Sequence, residues 1–506
     1  MRKKAQRRKK GSRFYAFSQS NERSISRRSA VKALLYMPVV GPWFWSRFEK
    51  QNNLYGPESS AVDKPAYSNI PNKAQEIYIK NQPIGKGQGI FPGRVVWAWN
   101  PDATNPECTN TTTGNGIHDQ NDDAWFMDKN TNQEKVDQML SRSLSRITGR
   151  ENSADAWNAI FRYHNMKRGK DEVDYQEGEK VLIKLNRTSG SMSDQKDGIR
   201  SDKKGTLCSE TSPHLVLSVL RQLVYKAKVP QEAIYVGDPQ RKIFQDEYEK
   251  YHAEFPRVNY ISNSGGKDRY KLTPSEDPLI FYSDHKKVMP EAGSDKLYNI
   301  MRDAEYLINL PAMKGHGLSG ITLFAKNHFG SLTTRSSQHL HPGLTRNRNE
   351  KQAYGIYRVL VDFMGNKHTG RKNLIYILDA LWSGADWNGY PVKFLMPPFD
   401  NHWSSSLFVS MDPVAVESVA FDFLRTEFSR PEHDINYIYK PGTDDYLHQA
   451  AHSGNWPENL TYQPDGNGLP MADSLGIHEH WNDPIEKKYS RNLGMDKGIE
   501  LINVHH

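Results

Sequence analysis

Only two cysteines, Cys108 and Cys208, occur in 506 residues. They allow one disulfide at most. With no CxxC pair there is no ligand spacing for an iron–sulfur cluster or a zinc ribbon, so an iron–sulfur cofactor is not expected. Two unpaired thiols are the expected state, ahead of a single bridge. Apolar length is short too. The run from Ala33 to Trp45 contains two prolines and falls below the ~20 residues that span a bilayer. No phosphate-binding Walker loop, no GxSxG elbow, no HExxH and no GxGxxG following a strand occurs. "GKGQG" at 85–89 lacks the preceding strand that would give it meaning. Basic charge is missing from most of the chain. Residues 1–50 hold 14 Lys/Arg against two Glu, a net +12 of the overall +8, which leaves the body at −4. A nucleic-acid-binding body would carry its own basic face, so no nucleic-acid partner is expected.

What is present is a chain beyond the ~250–300 residues at which single cores stop growing. Two domains or one large elaborated α/β domain follow. The 37% apolar and 11% aromatic content is ample for a core, and 28 prolines with 36 glycines point to long surface loops. The leader, 1–50, contains Ser26-Arg27-Arg28-Ser29-Ala30-Val31-Lys32, which resembles the twin-arginine export signal of bacteria, with Ala-Val where that signal prefers Phe-Leu. Three readings stand in order: a cleaved export signal, an uncleaved interfacial anchor, and a basic disordered arm. Trp43, Phe44, Trp45 and Phe48 beside many cations suit an anionic membrane surface. The expected location is the periplasm or cell envelope, and the export machinery is the leader's expected partner.

Residues 51–90 read as a linker and extended arm. "GRVVWAWN" at 93–100 is the first convincing strand, and a polar loop follows from Pro101 to Asp123. Val136, Met139, Leu140, Leu144 and Ile147 have helical spacing, and a second helix runs over Ala156 to Tyr163. "EKVLIKLNRT" fits a buried parallel strand. "SPHLVLSVLRQLVYKAK" is a helix with Ser212 as N-cap and Pro213 at its first position. "AIYVGDP", "DAEYLINLPAMK" and "NLIYILDAL" are strands, "ITLFAKNHFGSL" opens a helix, and "SSSLFVSMDPVAVESVAFDFL" is strand–turn–helix. The alternation predicts an α/β fold: a mostly parallel sheet, helices on both faces and long loop-rich insertions. The main domain spans 91–429, and 430–506 is a loop-rich C-terminal extension packed on it.

"INLPAMKGHGLSGITLFAKNHFG", 308–330, places Lys314, His316, Lys326, Asn327 and His328 within fifteen residues among four glycines. A solvated loop needs less apolar filling, and a plain core segment tolerates fewer cations. Ligands of parallel sheets bind beyond the carboxyl ends of strands. Lys184 and Asn186 end one strand, Asp238 a second, Lys314 and His316 follow a third, Asp379 ends a fourth, and Asp412 follows a fifth. The three lysines suit phosphate or carboxylate, the asparagines orient a ligand, and the glycines admit backbone N–H groups to an anion. His316 is the natural proton carrier, and Asp238 or Asp379 could orient it or hold a divalent ion. Each has an ordinary role beside this one. Lys184 packs as a stem, Lys326 and Asn327 cap a helix, His316 is a bonded structural imidazole, Asp379 forms a turn, and Asp412 before Pro413 is an N-cap. In "HEHW", His478 and His480 share one face of an extended segment and could chelate a metal, with His448 and His452 upstream.

These segments together resemble a family of uncharacterised proteins, the domain of unknown function 362. "VLIKLN" (181–186), "YLINLPAMKGHGLSGITLFAKNHFG" (306–330), "NLIYILDALW" (373–382) and "SMDPVAVESVAFDFL" (410–424) carry the resemblance. "GIFPGRVVWAWNPDAT" and "SLGIHEHW" look like an exported subgroup. The resemblance implies an α/β fold over roughly 80–500 and a tie to iron–sulfur proteins through a ferredoxin-type cysteine cluster, which two cysteines cannot build. It implies no agreed activity. The expectation is therefore an enzyme on a small phosphate or carboxylate. Lys184, Asn186, Lys314, Lys326 and Asn327 would bind the anion, and His316 with Asp379 would move a proton. A divalent metal at Asp238, or at His478 and His480, is a further expectation. The alternative is a non-catalytic envelope binding protein using the same cleft.

Overall fold

The computed structural model describes residues 82–113, 121–188, 204–284, 286, 293–334, 337–344 and 353–505. The leader and most of the linker lie outside the described residues. Thirteen strands are named in chain order. They are β1 (Ile84–Gly85), β2 (Arg94–Trp99), β3 (Val181–Leu185), β4 (Ile234–Gly237), β5 (Asn259–Ser262) and β6 (Tyr270–Lys271). Then come β7 (Tyr306–Leu310), β8 (Ala312–His316), β9 (Gly320–Thr322), β10 (Asn373–Gly384), β11 (Ser406–Ser410), β12 (Ile477–His478) and β13 (Glu500–His505).

One 11-stranded sheet runs in the order β13-β2-β11-β10-β7-β3-β4-β5-β6, with β8 pairing β10 and β9. Along that path β11 alone opposes its neighbours, so the sheet is mostly parallel, as expected. Strand alternation sorts residues to two cores. Val95, Trp97, Leu182, Leu307 and Leu378 enter one, and Val96, Ala98, Ile183, Ile308 and Ile377 the other. The second face is covered by α1 (Gln133–Thr148), α2 (Ser153–Lys167), α3 (Pro213–Arg221) and α4 (Gln245–Glu254). The first face is covered by α5 (Phe324–Asn327), α6 (Val359–Gly365), α7 (Pro413–Phe428) and α8 (Asp445–Ala451). Both cysteines are buried and free. No helix of the described residues is long and apolar enough to cross a membrane.

Local chemistry accounts for the boundaries. Ser212 caps α3 through its hydroxyl, which accepts from His214 N at 3.2 Å, and Pro213 fills the first position. Asp412 caps α7, accepting from Val414 N and Ala415 N at 3.0 and 2.9 Å. The segment 430–506, read as an extension, also delivers the edge strand β13 beside β2. "ITLFAKNHFGSL" departs from expectation. It forms the short strand β9 and a single helical turn, because Leu323 offers no side-chain cap and a 3-10 turn takes over at His328.

Candidate functional site

Lys184 and Asn309 are register partners on β3 and β7, and both side chains leave the sheet toward α5. Lys184 Nζ donates to Asp238 Oδ2 (3.0 Å), the Asn327 carbonyl (2.7 Å) and Asn327 Oδ1 (2.8 Å). All three ammonium hydrogens are spent. Its expected anion-binding role is therefore corrected: Lys184 is a buried tie between β3, β4 and α5. Burial lowers its pKa, with Asp238 opposing. Gly330 passes over this pair, and a Cβ there would meet Lys184 Nζ at 2.8 Å. Asn309, unmarked in the sequence reading, donates to the Phe324 carbonyl, accepts from Asn327 Nδ2 (2.7 Å) and meets His328 Nε2 (2.9 Å).

Asn327 is wholly committed to this network. Asn186 donates to Asn327 Oδ1 at 3.2 Å, which fixes its amide orientation, because that oxygen already accepts from Lys184. Asn186 Oδ1 is then a buried acceptor with no donor among the described residues. Lys314, fully buried on β8, donates to the Ser209 carbonyl (2.5 Å) and reaches Thr188 Oγ1 at 3.4 Å. Lys326 has no hydrogen-bond or ion-pair partner among the described residues, and its Nζ stands 3.8 Å from the Phe329 ring centre. Burial lowers Lys326 to about 7, and the nearby Lys314 and Lys184 add to the effect. Burial lowers Lys314 to about 8 against the pull of Glu210. The three ammonium groups therefore feel one another's charge, as their expected convergence requires.

His316 and His341 rings lie 6.0 Å apart, and the Phe329 ring is edge-on to His341 at 6.0 Å. His316 Nδ1 accepts from Leu318 N (3.0 Å) and Ser319 N (3.2 Å), which leaves its hydrogen on Nε2. Neither Asp238 nor Asp379 holds that nitrogen. Asp379 accepts from Ser212 N (2.5 Å) and Leu381 N (3.0 Å), so it clamps the start of α3 to β10. Burial raises its carboxyl to about 7 against those two donors. The expected pairing of Asp379 with His316 is corrected to this anchoring role. The glycines are corrected as well. Gly315 lies against the Ala385 carbonyl, Gly320 (φ +78°) against Thr443, and Gly317 N donates to Asp386 at 3.0 Å. They admit protein neighbours rather than offering N–H groups to a ligand. An open groove of about 1280 Å³, lined in part by Arg94, Arg142, Arg146 and Arg150, lies elsewhere and includes none of these residues.

The other expected cluster does form, without Asp238, which is held at Lys184. Donor atoms of Asp444, His478 and His480 lie within 4.8 Å of one another, all buried, in an arrangement able to hold a metal. His480 Nε2 is 3.1 Å from Asp444 Oδ2, and His480 Nδ1 is 2.6 Å from Asp422 Oδ1. Burial and Arg425 disfavour its charged form, yet the two carboxylates outweigh them and raise its pKa. Burial lowers His478 far below the usual range. Asp444 was not singled out in the sequence. Its spacing of four from His448 on one helical face was the available signal.

Residues 202–422 match the Domain of unknown function (DUF362). The resemblance read from the motifs thus holds over a narrower span than 80–500. That span contains Asp238, Lys314, His316, Lys326, Asn327 and Asp379, whereas Lys184, Asn186, His478 and His480 lie outside it. No curated protein matches the chain. The DUF362 description names no activity, so the function rests on the geometry above.

Proposed function

We propose that the chain is an exported protein whose cationic cleft binds a small anion, phosphate or carboxylate, through Lys326 and Lys314. The unpartnered Lys326 ammonium beside two further cations carries this reading. Such a charge is unfavourable alone and is relieved when an anion enters. Asn186 Oδ1, a buried acceptor, favours a ligand that also presents an O–H or N–H donor. Simple binding accounts for His316 best, because backbone amides rather than a carboxylate hold its Nδ1. A second reading makes the protein an enzyme in which His316 transfers a proton to or from that anion. It is favoured by the His316–His341 ring pair beside Lys326. Independently of both readings, we assign a divalent metal to the Asp444–His478–His480 group. Export follows from the twin-arginine-like leader.

Calorimetry with sulfate and with acetate, as tetrahedral and planar probes, tests the binding claim. Saturable binding of either by the full chain supports it and names the class. Absence of both overturns it.

A further inference from the structure

We propose that His448, His478, His480 and Asp444 hold one zinc ion in a site closed on all four sides by protein, and that the ion ties the C-terminal segment to helices α7 and α8. The proposal rests on the metal assignment above and deepens it. It does not draw on the anion reading.

The donors come from two places. Asp444 stands at the N-cap position of α8, its side chain making no capping bond, and His448 follows one turn later, so both stand on one side of that helix. His478 ends β12 and His480 lies two residues on, on the same side of extended chain. The His448 and His478 ring centres are 4.5 Å apart, and those of His478 and His480 4.9 Å. His448 Nε2 lies 3.5 Å from Asp444 Oδ2, and His480 Nε2 lies 3.1 Å from the same oxygen. A tetrahedron with zinc bonds of about 2.0–2.1 Å has edges of about 3.3 Å. The two contacts to Asp444 Oδ2 straddle that edge, the donor atoms of Asp444, His478 and His480 lie within 4.8 Å of one another, and His448 joins the group through Asp444 Oδ2.

The outer groups are already in place. Ser418 Oγ gives its hydrogen to the Val414 carbonyl (2.7 Å), so it accepts the Nδ1 hydrogen of His478 (2.8 Å) and leaves Nε2 of that ring as the ligand nitrogen. Asp422 Oδ1 takes the Nδ1 hydrogen of His480, the carboxylate–histidine arrangement that aims Nε2 at a metal. Tyr354 donates to Asp444 Oδ1 at 2.9 Å and leaves Oδ2 to ligate. On binding, zinc replaces the proton between His480 Nε2 and Asp444 Oδ2, and that proton goes to solvent. An imidazolium bridging Asp422 and Asp444 would account for His480 alone. It leaves unexplained why His478 is oriented by Ser418 with its Nε2 turned to the same group. Three imidazoles and one carboxylate select a borderline ion such as zinc, since calcium and magnesium require more oxygen ligands. All four residues are at most 4% exposed, which describes a closed structural site rather than one open to substrate.

The test uses the full chain without an affinity tag. Elemental analysis after dialysis is expected to give one zinc per chain. The cobalt-substituted protein is expected to show the intense visible bands of tetrahedral coordination, a readout that needs no variant. Ser418→Ala, which keeps every ligand, is expected to weaken zinc binding by about 10- to 100-fold in competition with a chelator. His448→Ala is expected to weaken it further. Zinc below a tenth of an equivalent per chain, with no rise in melting temperature on adding zinc, overturns the proposal. An octahedral cobalt spectrum, or His448→Ala with unchanged affinity, overturns the closed four-ligand site. Sulfate binding measured on the same preparation separates the two claims: it persists if only the metal assignment fails.

Discussion

Lys184 and Lys326 belong to one cluster and differ in every respect that matters for function. Lys184 spends three hydrogens on Asp238 and Asn327, while Lys326 faces only an aromatic ring. Opposite outcomes follow from the same substitution. Lys184→Met strands Asp238 and the Asn327 oxygens in a dry interior and is expected to cost about 3–5 kcal/mol in urea unfolding. Lys326→Met removes an unpaired charge and is expected to stabilise the fold by about 1–2 kcal/mol at neutral pH. The Lys326 pKa is about 7 when folded against the ordinary 10.5, so the unfolded chain binds the extra proton between those values. Stability from this group rises with pH across that window and is lost as pH falls through about 7. The advantage of Lys326→Met therefore shrinks as pH approaches about 10. The sequence reading brought all three lysines to one sheet edge, and Lys314 and Lys184 both add to the lowered pKa of Lys326. It could not show that Asp238 reaches Lys184, because that contact depends on β4 lying beside β3. Asn309 was hidden for a related reason: inside "LINLP" it reads as one more strand residue, and only its register with Lys184 reveals its role.

At the scale of elements, alternation and capping signals were the most legible part of the chain. β2, β3, α1, α3 and α7 stand where periodicity and caps put them. The segment after β7 was not legible in the same way. Pro311 breaks the single strand read over 303–314, and a second strand, β8, restarts at Ala312, pairs with the C-terminal part of β10 and carries both Lys314 and His316. Its partners come from residues nearly 70 positions later, beyond any local signal. Asp412 shows how one cap can do wider duty. Besides capping α7, it accepts from Gln88 N at 2.7 Å and Ile477 N at 3.2 Å, so it ties both flanks of β1 and β12 to the helix. Asp412→Ala is expected to cost at least about 2 kcal/mol, more than a simple cap, because four backbone donors lose their acceptor. Thermal unfolding against Asp412→Asn, which keeps one acceptor oxygen, measures the difference.

For the whole molecule, one mostly parallel sheet brings segments from positions 184, 314 and 326 to one neighbourhood, and residues 444–480 form a second buried cluster on the face carrying α7 and α8. The class of fold was readable from alternating strands and helices. The group able to hold a metal was half readable: "HEH" marked His478 and His480, while Asp444 and Asp422 meet them only through helix packing. The leader makes a separate prediction. Replacing Arg27 and Arg28 by Lys is expected to retain the protein in the cytoplasm, as cell fractionation would show, since export by the twin-arginine route depends on that pair. Unchanged export would leave the leader as an anchor or arm.

The central claim, an anion seated on Lys326, is tested most directly by titrating sulfate, whose charge stays fixed near neutrality, into the wild-type chain and Lys326→Met at several pH values. Binding to wild type is predicted to weaken steadily from about pH 6.5 to about pH 8.5, as Lys326 loses the proton that the anion requires. The variant is predicted to bind at least about tenfold more weakly at pH 6.5, a loss of 1.4 kcal/mol. Equal affinity in the two proteins, or affinity that does not change with pH, would contradict it.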